Sequence, residues 1–145
     1  MRALSLWNPW AALVAIEAKR YETRGWVPDQ IGPGFELAIH AAAKKDRESL
    51  ALAMSPPFRP ALKPHYPKLD DLPFGAVLCV VRVVATYRTE EIRDSLSETE
   101  RAFGDYSDGR YAWELELLER FDEPIPAKGA QKLWYWPHPM KTVTA

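Results

Sequence analysis

The sequence predicts a small α+β fold, in which a curled sheet or partly open β-barrel of about five or six strands carries two or three packed helices. Three observations predict this class. Stretches rich in β-branched and aromatic residues recur along the 145-residue chain. Long irregular connections separate these stretches. The predicted helices do not alternate regularly with the strands, which disfavours a doubly wound parallel sheet.

The N-terminal part of the chain predicts a strand followed by a buried helix. Residues 2–7, "RALSLW", alternate weakly between apolar and polar side chains, as a short strand does. Asn8 and Pro9 are typical of a helix start, because asparagine caps free backbone N–H groups and proline suits the first helical position. The helix is expected to run to about Ala18. Its apolar side chains leave no broad polar face, which indicates burial.

Alternation and turn residues predict the remaining elements. A helix is expected at 46–54 with Asp46 as its cap, and a wrapped loop at the proline-rich residues 55–73. A charged, exposed helix is expected at 90–103, and a further loop at 122–131. The other predicted strands are "RYETRGW" (20–26), "FELAIHA" (35–41), "GAVLCVVRVVATYR" (75–88), "RYAWELELLERF" (110–121) and "KLWYW" (132–136).

Composition and charge favour one domain spanning residues 1–145 and exclude several classes of function. The net charge is −1, so no global field draws the chain to nucleic acid, and a polyanion has to bind in a local basic groove. Cys79, the single cysteine, lies in an apolar stretch and is predicted to be a core residue. No His, Cys or carboxylate pair has metal-ligand spacing, so neither a metal nor a cofactor is expected.

The apolar N-terminal run does not resemble a targeting or membrane-spanning segment. It is interrupted by "NPW", it lacks a small-residue cleavage site, and it is too short to span a bilayer. We therefore expect a cytoplasmic protein with no membrane partner.

Charged residues gather directly after the predicted helix. Lys19 lies at the helix end, and Glu22 and Arg24 share one face of the next extended segment. A lysine and an arginine around one carboxylate can hold an anionic or polar ligand. Alternatively, a lysine partly desolvated at a pocket wall can act as a base, because burial lowers its pKa. A cluster of surface ion pairs that contributes little to stability would explain the same spacing.

Aromatic and polar residues elsewhere are further candidate ligand contacts. Most of the six tryptophans are expected in the core, but Trp10 or Trp26 at a pocket rim could stack on a flat ligand. His40 lies opposite the apolar face of its strand, either as a pocket acid, base or donor or as a plain hydrogen-bonded histidine. Lys128 and Gln131, in the loop "KGAQ", are candidates for lining a groove.

The stretches "LSLWNPWAALVAIEAKRYETRGW", "LAIHAA" and "FGDYSDGRYAWEL…PIPAKGAQKLWYW" together resemble the ASCH domain family, a branch of the PUA-like superfamily. The resemblance covers nearly the whole chain. The family hallmark is G-x-K-x-x-E-x-R, and Lys19, Glu22 and Arg24 match its K, E and R. Glu17 stands where the family has glycine, which eases the turn after the helix. We expect Glu17 either to lengthen the helix and shift Lys19, or to bring its own carboxylate into the cluster.

The resemblance implies a small PUA-like β-barrel with helices against it and a cleft lined by the hallmark residues. It links the chain to the binding of RNA or modified nucleic acid. Some similar proteins are ribonucleases, or amidohydrolases acting on acylated cytidine. In the amidohydrolase-like branch a lysine and a threonine three residues later carry the reaction. Glu22 occupies the position of that threonine here, so that nucleophile is absent.

Three functions follow as hypotheses. The first is a module that binds single-stranded RNA or DNA, or a nucleotide-like ligand. The second is a hydrolase acting on RNA or an acylated nucleoside, with Lys19 as base and Glu22 as its orienting partner. The third is a scaffold whose acidic segment at 90–101 contacts a partner, although a solvated helix face is the better explanation of that segment. The oligomeric state stays open.

Overall fold

A six-stranded mixed sheet forms the centre of the computed structural model, which describes residues 1–27 and 34–137. The strands lie in the order β2-β5-β4-β3-β1-β6. β1 and β3 run parallel, and the other neighbours run antiparallel. The prediction of an α+β fold with five or six strands is confirmed. The strands are β1 (Arg2–Leu6), β2 (Tyr21–Arg24), β3 (Phe35–Ala41), β4 (Ala76–Arg88), β5 (Tyr111–Pro126) and β6 (Leu133–Tyr135).

The predicted β-barrel is not confirmed, because the sheet stays open. β2 and β6 are its two edges, and within the described residues no ladder joins them. Both edge strands are short, whereas the central β4 and β5 contain 13 and 16 residues. Register shifts at Val77/Cys79, Val80/Val81 and Val83/Ala85 interrupt the β4–β5 ladder, and such bulges bend and twist a sheet. The sheet is therefore curled without closing.

The helices are shorter and more numerous than the two or three predicted. None of those in the described part of the chain is long and apolar enough to cross a membrane. Two single 3₁₀ turns accompany them, at Leu69–Asp71 and Arg93–Ser95. The α-helices are α1 (Trp10–Ala15), α2 (Arg47–Leu52), α3 (Phe58–Leu62), α4 (Thr89–Ile92) and α5 (Glu98–Ala102).

Three sequence predictions need correction. Residues 55–73 are not only loop, because Phe58 and Leu62 bury their side chains and form α3. The charged segment 90–103 is not one exposed helix but breaks into α4, a 3₁₀ turn and α5, with Ile92 and Glu100 buried. The loop predicted at 122–131 begins only after Pro126, because β4 continues to pair with β5 up to that residue. In each case a long-range contact outweighs the local sequence pattern.

The cap of α2 follows the predicted chemistry, whereas α1 begins one residue later and ends three residues earlier than predicted, with Pro9 at its N-cap position. The Asn8 side-chain carbonyl accepts a hydrogen bond from the backbone N–H of Ala12 at 3.1 Å. The Asp46 carboxylate accepts one from the backbone N–H of Ser49 at 3.1 Å. Asn8 itself is buried, because its amide group also donates to the carbonyl oxygen of Pro73 at 2.5 Å. The Asn8 side chain therefore ties the first turn of α1 to the segment before β4.

One face of the sheet packs against α1 to form the main core. Leu4, Val14, Ile39, Val81 and Trp113 are all at most 2% exposed in this cluster. The single cysteine belongs to the same cluster, as predicted, and burial raises the pKa of its thiol to about 12. A second cluster joins the other side of α1 to α3 and to Phe103. The helix is therefore held between the sheet and the segments that cover it.

Glu17 neither lengthens α1 nor joins an ion pair within the described residues. It is exposed and adopts φ +63°, the left-handed conformation that glycine would take without strain. The N–H of Glu17 bonds to the carbonyl of Val14 at 3.1 Å, and the N–H of Ala18 bonds to that of Leu13 at 3.0 Å. This pair of bonds is a Schellman motif. The turn after α1 therefore forms without a glycine, at a conformational cost carried by Glu17.

Glu17→Gly is expected to stabilise the protein. Removing the side chain relieves the left-handed strain and offsets the greater entropy of glycine in the unfolded chain, for a net gain of about 0.5–1 kcal/mol. Urea unfolding monitored by tryptophan fluorescence measures the free energy of unfolding. Glu17→Ala keeps the strain and is the control, for which little change is expected. A loss of stability in Glu17→Gly would show that the glutamate side chain makes a favourable contact.

Candidate functional site

A cavity of about 520 Å³ lies between α1, β2 and the residues around α3 and α5. We call it the first cavity. Its size falls in the range of pockets that hold small ligands. The lining combines a charged side and an aromatic side. The charged residues are Lys19, Glu22, Arg24 and Asp105, and the aromatic residues are Trp7, Trp10, Phe58 and Phe103.

Lys19, Glu22 and Arg24 converge at this cavity. Glu22 lies between the two cations: its Oε2 is 2.7 Å from Arg24 Nε, and its Oε1 is 3.8 Å from Lys19 Nζ. The Lys19 side chain is 2% exposed, that of Glu22 is 9% exposed, and that of Arg24 is 26% exposed. Arg24 is therefore the member of the triplet most accessible to a ligand.

Local backbone structure explains why the triplet converges. The Schellman turn at Glu17 leads directly into β2, which pairs with β5 through Glu22 opposite Trp113 and Arg24 opposite Tyr111. Alternation along β2 then places Glu22 and Arg24 on one face. Lys19 folds back along the same segment, because its ammonium donates to the carbonyl oxygen of Tyr21 at 2.5 Å.

Burial dominates the electrostatics of Lys19. Desolvation lowers the pKa of the ammonium below the ordinary value of 10.5, and the carboxylates of Glu22 and Glu100 partly oppose that shift. Glu100 is 8% exposed, and its Oε1 accepts a hydrogen bond from the backbone N–H of Arg20 at 3.0 Å. Burial in turn raises the pKa of the Glu100 carboxyl group. The Lys19 side chain is therefore desolvated, with Glu22 as its ion-pair partner and Glu100 interacting with it at longer range.

The aromatic side of the first cavity is a packed wall. Trp10 meets Phe58 edge to face with ring centroids 6.4 Å apart, and Phe58 meets Phe103 at 5.0 Å. The Thr23 hydroxyl oxygen accepts a hydrogen bond from the backbone N–H of Asp105 at 3.0 Å. At Gly104 a Cβ would lie 3.1 Å from that hydroxyl, so glycine permits this close approach. The segment after α5 is thereby held against β2.

A second cavity of about 590 Å³ adjoins the first. The two share Ser5, Trp7 and Arg24 in their linings. The loop between β5 and β6 forms the far wall of the second cavity. That wall contains Lys128, Gly129, Gln131 and Lys132, and His40 lies behind it.

His40 fastens this wall to the sheet. A carbonyl oxygen can only accept, so His40 Nε2 donates to the Ala127 carbonyl at 2.8 Å and Nδ1 accepts from the Ser5 hydroxyl at 2.9 Å. Trp134 Nε1 donates to the same hydroxyl at 3.0 Å. Burial lowers the pKa of His40, with the Ala127 carbonyl opposing the shift. Of the two roles open to His40, this geometry matches the hydrogen-bonded histidine.

The structure brings together most of the residues singled out from the sequence. Trp10 lines the first cavity with the triplet, whereas Lys128, Gln131 and His40 line the second. Trp26 lies apart from both linings. Its ring packs edge to face on Trp113 with centroids 5.3 Å apart.

The sequence pattern does not single out several residues in or near the two cavities. The sequence pattern predicts Trp7 and Ser5 only as part of a strand, although Trp7 is 42% exposed and lines both cavities. A tryptophan at the polar end of an alternating strand was the available signal. Glu100 and Phe58 carried no such signal, because they belong to segments predicted to be an exposed helix and a loop. In the described residues no group of three or more His, Cys, Asp or Glu side chains is arranged to hold a metal ion.

A similar fold occurs in solved structures of an ASCH protein. That of ASCH from Zymomonas mobilis matches with a TM-score of 0.57 at 15% identity, covering 94% of this chain and 87% of that one. The chain has an ASCH-like fold. Two single-substitution variants of the same Zymomonas mobilis protein match it with TM-scores of 0.54 and 0.55 at 15% identity. Each match covers 94% of this chain, and the matches cover 90% and 88% of the two variant chains, respectively.

The prediction of an ASCH-like chain is thus confirmed at the level of the fold. No protein-family model matches the chain, and no curated protein matches it. Because a likeness at 15% identity shows the fold alone, the function has to be argued from the side chains of the site.

Lys19→Met is expected to change how stability depends on pH. The folded-state pKa of Lys19 is lowered, so between that pKa and 10.5 the unfolded chain binds more protons than the folded one. The free energy of unfolding of the wild type should therefore rise with pH in this window relative to Lys19→Met. Urea unfolding at a series of pH values from 7 to the alkaline limit measures the difference. Lys63→Met, at an exposed position, controls for the loss of one lysine, and identical pH curves for all three proteins would contradict the burial of a charged Lys19.

Proposed function

We propose that this ASCH-like chain is a nucleic-acid-binding module that holds single-stranded RNA or DNA, or a nucleotide-like ligand, in the first cavity. Lys19, Glu22 and Arg24 are the proposed polar contacts, and Trp10 is the proposed stacking surface. The observation that carries the proposal is that these three charged residues and several aromatic rings line one cavity.

The chemistry of the lining suits an unpaired nucleotide. The Arg24 guanidinium uses Nε on Glu22 and has Nη2 3.4 Å from the carbonyl oxygen of Ser5, which leaves N–H groups for a phosphate oxygen. A carboxylate such as Glu22 can accept hydrogen bonds from the N–H groups of a base edge. Aromatic rings stack with any base, because every base has a π face. A cavity of about 520 Å³ holds one such unit but not a duplex.

The charge of the chain limits the strength of binding. A net charge of −1 gives no broad attractive field, so the attraction comes from the few cations around the cavities. Binding to short single strands should therefore be weak and should weaken further with added salt.

Arg24→Ala is expected to weaken the binding of short single-stranded oligonucleotides. Loss of a charge-assisted contact to phosphate corresponds to roughly a tenfold rise in Kd or more. Titration of fluorescently labelled RNA and DNA oligomers at low salt measures this effect. Arg82→Ala is the matched control, because Arg82 pairs with Glu116 at 2.9 Å on β4 and lines neither cavity. Equal affinities for wild type and Arg24→Ala would refute the proposed site.

A second candidate function is a hydrolase acting on RNA or an acylated nucleoside, with Lys19 as general base. The observation that favours it is a desolvated lysine with a lowered pKa in the wall of a cavity. Glu22, 3.8 Å from the ammonium, would orient it. Because the Lys19 side chain is 2% exposed and its ammonium is bonded to the Tyr21 carbonyl, the ammonium would first have to release that carbonyl to reach a substrate.

The hydrolase hypothesis predicts turnover that depends on a neutral amine at position 19. Wild type should hydrolyse N-acylated nucleosides or short RNA, with a rate that rises as pH approaches the lowered pKa of Lys19. Lys19→Arg keeps the charge but cannot act as a base, and it should lose at least about a hundredfold in kcat. Chromatographic detection of product measures the rate. Activity that persists in Lys19→Arg would exclude Lys19 as the base.

A further inference from the structure

The two cavities differ in charge, and we propose that this difference sets the orientation of a bound ligand. An unpaired base occupies the first cavity, and the phosphate group attached to its sugar lies in the second. The inference rests on the proposed function and deepens it, because it names a phosphorylated ligand, a nucleotide or a strand, in preference to a free nucleoside.

Continuity between the cavities is the first support. Ser5, Trp7 and Arg24 line both, so one ligand can extend from one to the other without crossing a wall. Arg24 forms the junction. Its Nε bonds to Glu22 on the side of the first cavity, and its Nη2 lies 3.4 Å from the Ser5 carbonyl oxygen between the two.

The charges of the two linings are the second support. The first cavity contains two carboxylates, Glu22 and Asp105, beside its cations. The second is lined by Arg24, Lys128 and Lys132 with no carboxylate. Within residues 1–27 and 34–137, no ion pair involves either of those lysines. Arg24 is paired with Glu22, but Lys128 and Lys132 give the second cavity a positive charge that no carboxylate in its lining offsets, and this charge favours an anionic group.

The walls of the second cavity are also held in place. His40 bonds to the Ala127 carbonyl at 2.8 Å, and the N–H of Ala127 bonds to the carbonyl of Gly75 at 3.0 Å. At Gly129 a Cβ would lie 2.5 Å from the Ser5 hydroxyl oxygen, so only glycine fits against β1 at this distance. β6 begins directly after the loop and pairs with β1. Lys128 and Lys132 are thus carried on a segment fixed at both ends.

Trp7 completes the arrangement at the boundary of the two cavities. It is 42% exposed, and the ammonium of Lys44 lies 5.0 Å from the centroid of its ring. A half-exposed indole beside a lysine offers a flat surface for a sugar or base next to a cation for a phosphate. Base, sugar and phosphate thus meet matching surfaces in the order in which they are bonded.

The test compares nucleosides with their phosphates. Adenosine and cytidine, each with its 3′- and 5′-monophosphate, are titrated into the full chain by calorimetry at low salt. Wild type should bind at least one monophosphate roughly tenfold more tightly than the nucleoside. The variant Lys128→Ala/Lys132→Ala should lose most of that preference while binding the nucleosides as before. The control Lys63→Ala/Lys68→Ala removes the same charge from exposed positions outside both cavities and should keep the preference.

The outcomes separate this inference from the proposed function. Equal binding of nucleosides and monophosphates by wild type would overturn the inference alone, as would equal losses in the two double variants. Binding that Arg24→Ala leaves unchanged would place the ligand elsewhere and overturn both. The absence of binding by every nucleoside, monophosphate and short oligomer would also overturn both.

Discussion

The burial of the Lys19 ammonium is the constraint on which the site depends. A buried, uncompensated charge costs several kcal/mol, so the folded chain must supply partners in fixed positions. Glu22, the Tyr21 carbonyl and the more distant Glu100 supply them. These partners come from β2 and α5, and their positions depend on the turn that ends α1. The lysine therefore links the helix, the edge strand and the covering segment into one arrangement.

Glu22 transmits this constraint to the accessible part of the site. One of its oxygens faces Lys19 and the other bonds to Arg24, so the buried cation and the exposed cation share a carboxylate. Arg24 then reaches the Ser5 carbonyl on β1, close to the hydroxyl that His40 holds. A single short strand thus connects the desolvated interior with both cavities. A ligand that contacts Arg24 would therefore meet a guanidinium whose position is already set by Glu22 and the Ser5 carbonyl.

Lys19, Glu22 and Arg24 predicted the charged side of the first cavity but not its aromatic side. Lys19, Glu22 and Arg24 lie within six residues, and alternation along a strand suffices to bring Glu22 and Arg24 to one face. Phe58, Phe103 and Glu100 arrive from segments more than thirty residues away in the chain. Their burial depends on how those segments cover α1, and no local periodicity records it. The same reason explains why residues 90–103 do not form the continuous exposed helix that their sequence pattern predicts.

The sequence by itself determined the strands, the cap of α2 and the proximity of the charged triplet, because each depends on residue types within a few positions of one another. Only the tertiary structure decided that the sheet stays open, since closure depends on whether the distant edges β2 and β6 meet. It also decided that Glu17 accepts a left-handed conformation, which the packing of α1 imposes on a residue that does not prefer it. The second cavity belongs to the tertiary structure as well. Its positive wall lies about a hundred residues beyond Arg24 and reaches it only because β6 pairs with β1.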